Sequence, residues 1–279
     1  MDTTNSEPRG RAPGQVLAFY SYKGGTGRTM ALVNTACLLA RNSQGRVLLI
    51  DWDLEAPGLH HYFAKVPGDA AKQGLLELVS SASRQLQGVS AEDSPDADVV
   101  WQSAWEELDV GTQIVSATGI DGVEYIRAGA FTEDYGDRVS DLDWKRLFRI
   151  CPDLFPALAR RLASEFEWIL IDARTGTTDT TGICTMLMPD KLVVVFTPNR
   201  QSLEGIAALT RRAVNWRMQY GEARPLLVYP LPSRIDSVYD TLRKRWRYGD
   251  DGDDIAGYQP LFERALADAY CLEQCSLEA

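Results

Sequence analysis

The sequence predicts an α/β fold, a doubly wound, mainly parallel sheet flanked by helices. Three observations carry that expectation. Residues 16–20 form an apolar run that leads through a glycine-rich turn into the helical stretch 30–40. Residues 46–51 and 168–172 are further apolar runs without polar alternation, as parallel strands buried on both faces require, and each ends in an aspartate. Stretches of helical spacing lie between these runs, the alternation that builds crossover connections.

The first strand is followed by Lys23-Gly24-Gly25-Thr26-Gly27-Arg28-Thr29. Glycines let the main chain approach an anion without Cβ obstruction, successive N–H groups converge on it, and the helix N-terminus adds its positive dipole end. Thr29 then sits where a hydroxyl can ligate Mg²⁺. The usual phosphate-loop pattern asks for glycine at Tyr22 and lysine at Arg28, so this chain breaks it twice. A tight strand-to-helix connection with no ligand is the plainer alternative.

The second strand runs into Asp51-Trp52-Asp53-Leu54-Glu55-Ala56-Pro57-Gly58, and a later one ends in Asp172. Carboxylates at the carboxyl ends of parallel strands project into the crevice where such folds bind ligands. Asp53 and Asp172 are candidate metal and catalytic groups, and Asp51 is a supporting one; capping a strand end is the alternative for each. Glu55 either reaches the metal or faces water.

These motifs resemble the deviant Walker A signature, KGGxGK[ST], of the ParA/MinD family of P-loop ATPases, and more closely a bacterial subset with KGGxGR[ST] and a DWDLEAPGL-like stretch. The resemblance covers about residues 15–235. It implies ATP and Mg²⁺ as cofactors. Gly24, Gly25, Thr26, Gly27, Arg28, Thr29 and Met30 would cradle the phosphates, and Thr29, Asp53 and Asp172 would hold the metal. Asp53 would orient the attacking water and Asp172 would be the Walker B carboxylate. The loop after the last strand, at Pro232, Ser233 and Arg234, would touch the base. Lys23 matches the signature lysine that crosses to a partner's phosphates, which implies a nucleotide-sandwich homodimer regulating an unidentified protein partner. Lys23, Arg28 and Asp53 are the expected catalytic residues. Arginine is bulkier than lysine and not interchangeable with it at a tight phosphate site, so binding is expected to survive and hydrolysis to be slow.

Composition bounds the alternatives. The chain has 279 residues, 45% of them hydrophobic, enough for a substantial core. There is no run of about 18 apolar residues and no signal-peptide pattern at the N-terminus, so a soluble, cytoplasmic protein without a membrane partner is expected. Five cysteines, an odd number, read as reduced thiols. Cys271 and Cys275 have helical spacing with no second pair, which argues against zinc. A net charge of −10 disfavours non-specific DNA binding as the main activity.

Along the chain, residues 1–14 read as a flexible lead-in and 15–279 as one nucleotide-binding domain, with residue 279 either its natural end or a boundary before further sequence. Helices are expected over 75–86 and 99–108, the latter with Trp101 and Trp105 on one face, and over 143–163 with a break near Pro152. Residues 113–115 and 123–126 suggest a hairpin or an added strand. The Gly- and Thr-rich segment 173–179 reads as a switch loop, with Arg174 reaching either phosphate or a surface carboxylate. A strand at 191–199, a helix from 202 through 216, a strand at 225–234 and a last helix over 260–272 complete the series. Two basic clusters, Arg211-Arg212 with Arg217 and Arg243-Lys244-Arg245-Trp246-Arg247, are read as solvated or internally neutralised faces. Two other functions stand beside the ATPase switch: a catalytically silent nucleotide-binding scaffold, and a DNA-partitioning ATPase. A tyrosine kinase of the same ancestry is disfavoured because Tyr270 stands alone.

Overall fold

A computed structural model of the chain describes residues 13–42, 45–63, 73–90, 92–93, 95–176, 182–220, 225–235, 238–250 and 255–277. The apolar runs become strands β1 (Gln15–Tyr20), β2 (Val47–Asp51), β3 (Val115–Ser116), β4 (Val123–Ile126), β5 (Trp168–Asp172), β6 (Lys191–Phe196) and β7 (Leu227–Pro232). They form one sheet in the order β3-β4-β2-β5-β1-β6-β7. All neighbours pair in parallel except β3, which lies antiparallel on the edge strand β4. The expected α/β class, with its mainly parallel sheet, is what the structure has.

Alternation along each strand feeds two buried clusters, one on either side of the sheet. Val16, Ala18 and Tyr20 of β1 belong to one, and Leu17 and Phe19 to the other. Helix α1 (Arg28–Asn42) covers the second face with Leu32, Val33 and Ala36. The first face is covered by α2 (Leu75–Gln85), α3 (Ala97–Leu108), a short α4 (Val110–Gln113), α5 (Tyr135–Ser140), α6 (Trp144–Ile150), α7 (Leu154–Glu165) and α8 (Arg200–Tyr220). A final α10 (Tyr258–Tyr270) packs there through Phe262, following α9 (Asp240–Tyr248) and a two-strand ribbon, β8 (Gly249–Asp250) with β9 (Ile255–Ala256).

Trp52, just past β2, is fully buried and meets Phe155 edge-on at 6.1 Å, and Trp101 lies 6.5 Å from the same ring. Aromatic pairs at these separations add to the area they bury. This cluster fixes the chain directly beside Asp53.

Several boundaries differ from the expectations for identifiable reasons. α8 begins before Ser202 because the Asn199 side chain accepts a hydrogen bond from the Ser202 amide at 2.9 Å, a side-chain cap the apolar pattern does not reveal. Gly14, assigned to the lead-in, is tied into the fold by donating its N–H to the Ala163 carbonyl at 2.8 Å. Residues 1–12 of that lead-in, 177–179 of the switch loop and the acidic run at 251–254 lie outside the described residues. Gln113 falls in α4 rather than a strand, while the break expected near Pro152 separates α6 from α7.

Candidate functional site

The site lies at the carboxyl ends of β2, β5 and β1, which are neighbours in the sheet. Their ends are level: Asp172 pairs in register with both Phe19 of β1 and Asp51 of β2. Residues 21–27 connect β1 to α1, and Arg28 and Thr29 open the helix. Gly25 and Gly27 have φ of +74° and +87°, left-handed conformations that side-chain-bearing residues rarely adopt. The turn exposes main-chain N–H groups at the N-terminus of a 15-residue helix, an arrangement suited to an anion.

Arg28 does not point outward from this turn. Its Nε donates to Asp172 Oδ1, and an Nη2 hydrogen bond of 3.0 Å reaches Asp53 Oδ2. Thr29 donates its hydroxyl to the other Asp172 oxygen at 2.6 Å. Burial works against the guanidinium's charge, but the two carboxylates outweigh it and raise its pKa, so Arg28 is fixed as a cation. Two of the remaining polar atoms, Arg28 Nη1 and Thr26 Oγ1, are buried with no hydrogen-bond partner. Buried donors of this kind carry a desolvation cost that a bound acceptor would relieve.

Asp51 has a supporting role. One of its oxygens accepts the amides of Gly58 and Leu59 at 3.2 and 3.1 Å, which pins the loop that carries Asp53. Burial, with Asp172 and Asp53 close by, pushes its carboxyl up to about 7. An unfolded Asp51 releases its proton near the ordinary 3.8, so the folded protein holds the extra proton between about pH 4 and 7. Stability from this group is therefore full in acid and is lost as pH rises through 7. Asp51→Asn should flatten that decline, gaining more than about 1 kcal/mol on wild type between pH 4 and pH 8 in denaturant titrations; parallel pH curves for the two proteins would contradict it.

The remaining expected site residues divide. Arg234 comes to the turn: its φ is +53°, and its guanidinium lies 3.9 Å from where a Cβ on Gly25 would be. Pro232 ends β7, and Ser233 is held to β6 by its amide and hydroxyl, which donate to the Phe196 carbonyl at 2.7 and 3.1 Å. Met30 is exposed, with its methyl 3.6 Å from the corresponding point on Gly27. Lys23 donates Nζ to Gln201 at the start of α8, within its own chain. Glu55 forms an ion pair with Arg174 rather than facing water alone, and is the surface carboxylate that is one of Arg174's two expected alternatives. The second basic cluster is neutralised in part: Arg243 and Lys244 share Asp240 and Arg245 pairs with Asp250, whereas Arg247 donates to the uncharged Gln259.

Three contributors carried no sequence signal. Gln201 anchors Lys23. Tyr20 donates its hydroxyl to the Gly176 carbonyl at 3.2 Å, tying the end of β1 to the segment after Asp172. Cys184, on the single π turn Ile183–Leu187, is fully buried beside Arg28 and the two aspartates; burial drives its thiol pKa far up, so it is a neutral packing group. All five cysteines are free. Among the described residues no three or more His, Cys, Asp or Glu side chains are grouped to hold a metal by themselves. No helix among the described residues is long and apolar enough to cross a membrane.

Comparison with solved structures decides the fold. A plasmid partition protein from Borrelia burgdorferi superposes with a TM-score of 0.51 at 17% identity, covering 86% of this chain and 87% of that one. A ParA family ATPase from Chlorobium tepidum TLS gives 0.53 at 16% identity, covering 84% and 79%. The chain has the fold of the ParA-type P-loop ATPases. Cobyrinic acid a,c-diamide synthase from Mycobacterium smegmatis, with a bound ATP analogue and magnesium, gives 0.54 at 19% identity, covering 81% and 75%. The cofactors expected from the sequence, ATP and Mg²⁺, agree with what that neighbour carries. No family model matches the chain, and no curated protein matches it in sequence.

Proposed function

We propose that the chain is a ParA/MinD-like molecular switch that binds Mg-ATP, hydrolyses it slowly, forms a nucleotide-sandwich homodimer and regulates a protein partner in the cytoplasm. Residues 15–279 would act as one nucleotide-binding domain. The observation that carries this reading is the anion-receptive turn, with two left-handed glycines, beside the carboxylates of Asp172 at the end of β5 and of Asp53 two residues past β2. The residues at hand suit the magnesium ion in kind: the Thr29 hydroxyl and the Asp53 and Asp172 carboxylates are hard oxygen donors. When bound, Mg²⁺ would neutralise charge on the phosphate oxygens.

The chain's own residues divide the remaining work. Main-chain N–H groups of residues 24–30 would grip the phosphates, and the Thr26 hydroxyl and Arg28 Nη1 would supply donors that have no hydrogen-bond partner within the chain. Arg234 approaches the turn from the β7 side, and Pro232 and Ser233 would hold the base. Asp53 holds the attacking water and accepts its proton. Lys23 would leave Gln201 to reach the partner subunit's phosphates, so γ-phosphate and assembly become coupled.

A second reading, the catalytically silent scaffold, is favoured by one specific observation: Asp53 is engaged by Arg28 rather than open to water. Multiple-turnover phosphate release separates the two. The switch predicts slow release that drops at least tenfold in Asp53→Ala; release no higher than the Asp53→Ala background would leave the scaffold. DNA partitioning, in line with the plasmid partition named for the Borrelia neighbour, draws less support because three of the four basic residues of α9 are paired with Asp240 and Asp250.

A further inference from the structure

The same guanidinium that replaces the phosphate-loop lysine spans the two carboxylates a divalent cation would need. Its side chain is 9% exposed, Asp53 is 10% and Asp172 is 1%. Both Asp172 oxygens are occupied, one by Arg28 and the other by the Thr29 hydroxyl, and Asp53 Oδ2 is taken as well. A planar fork can bridge carboxylates on two strands in this way, whereas an ammonium is a point charge on a flexible stem.

We propose that Arg28 is the resident counter-ion of the Asp53–Asp172 pair in the ligand-free protein, so that a divalent cation and the Arg28 guanidinium compete for the same carboxylate oxygens. Two like charges do not share one buried site, because low local polarity strengthens their repulsion. The pair is thus closed to free metal. Nucleotide phosphates open it by giving the guanidinium another anionic partner, toward which the unpartnered Nη1 is one available donor. In this chain the metal would enter with or after the phosphates and never before them. This extension to nucleotide rests on the proposed nucleotide site, whereas closure to free metal does not.

Mn²⁺ is the probe, followed by electron paramagnetic resonance on the full chain without nucleotide. Wild type should show no saturable binding that depends on Asp172, and Arg28→Gln should bind Mn²⁺ at least tenfold more tightly, with the gain abolished by adding Asp172→Asn. Equal Mn²⁺ affinity in wild type and Arg28→Gln would overturn the proposal. Arg28→Lys, which keeps a charge, provides a second variant should the glutamine form not fold, and is expected to bind Mn²⁺ at an intermediate level. Wild-type Mn²⁺ binding that Asp172→Asn removes would overturn it without either variant. A parallel titration with ADP should show wild type binding at least tenfold more tightly in Mg²⁺ than in EDTA, because a nucleotide that opens the pair to metal gains from metal by the same factor, with a smaller preference in Arg28→Lys. Equal wild-type affinities in Mg²⁺ and in EDTA would overturn the opening of the pair by phosphate. Absence of ADP binding in both buffers would count against the nucleotide site, while the Mn²⁺ result would still judge Arg28.

Discussion

Asp172→Ala should destabilise the ligand-free protein by about 3–5 kcal/mol, the cost of leaving a buried charge without its partner. Arg28 is nine-tenths buried, and Asp172 supplies the acceptor for its Nε. With that acceptor gone, Asp53 alone remains to balance the guanidinium, the Thr29 hydroxyl loses its partner, and little water can reach the gap. Asp172→Asn keeps an oxygen in place and should cost clearly less. Chemical denaturation at neutral pH measures both, with the midpoint moving and the slope unchanged. A loss below about 1 kcal/mol for Asp172→Ala would mean that the pair is solvated in practice and contributes as a surface salt bridge does.

The second large effect concerns the turn. Gly27 sits at φ +87°, and a β-branched side chain there is strained by about 1–3 kcal/mol. Gly27→Val either keeps the conformation at that cost or leaves it. Leaving it would misplace the main-chain N–H groups expected to meet phosphate oxygens. ATP affinity should fall at least a hundredfold, while the melting temperature falls by only a few degrees. Unchanged affinity in a folded Gly27→Val protein would place any nucleotide elsewhere.

What was legible in the sequence was set by local chemistry. Apolar runs ending in aspartate gave β2 and β5 with their carboxylates at the correct ends, and Gly25 and Gly27 marked a turn whose geometry requires them. The antiparallel edge at β3 was readable only as a hairpin or an added strand, because a two-residue strand has too few side chains to show alternation. The direction of Arg28 was not readable. A motif places the residue at the turn, but its partner Asp172 is 144 residues away, and only the register of β5 beside β1 brings the two together. Lys23 is similar: its contact with Gln201 spans 178 residues and depends on how α8 leaves β6. Glu55 lay beside Asp53 in sequence, yet the turn after β2 sends it to the surface and Arg174. Sequence proximity did not convert into proximity at the site.

The turn between β1 and α1, opposed by Asp53 and Asp172, is expected to hold a nucleoside triphosphate. Isothermal titration of the full chain with ATP in Mg²⁺ tests it most directly. Saturable uptake of one nucleotide per chain, lost in Gly27→Val while circular dichroism shows the fold intact, is the predicted result. No measurable heat at millimolar ATP, or binding that survives Gly27→Val unchanged, would contradict it.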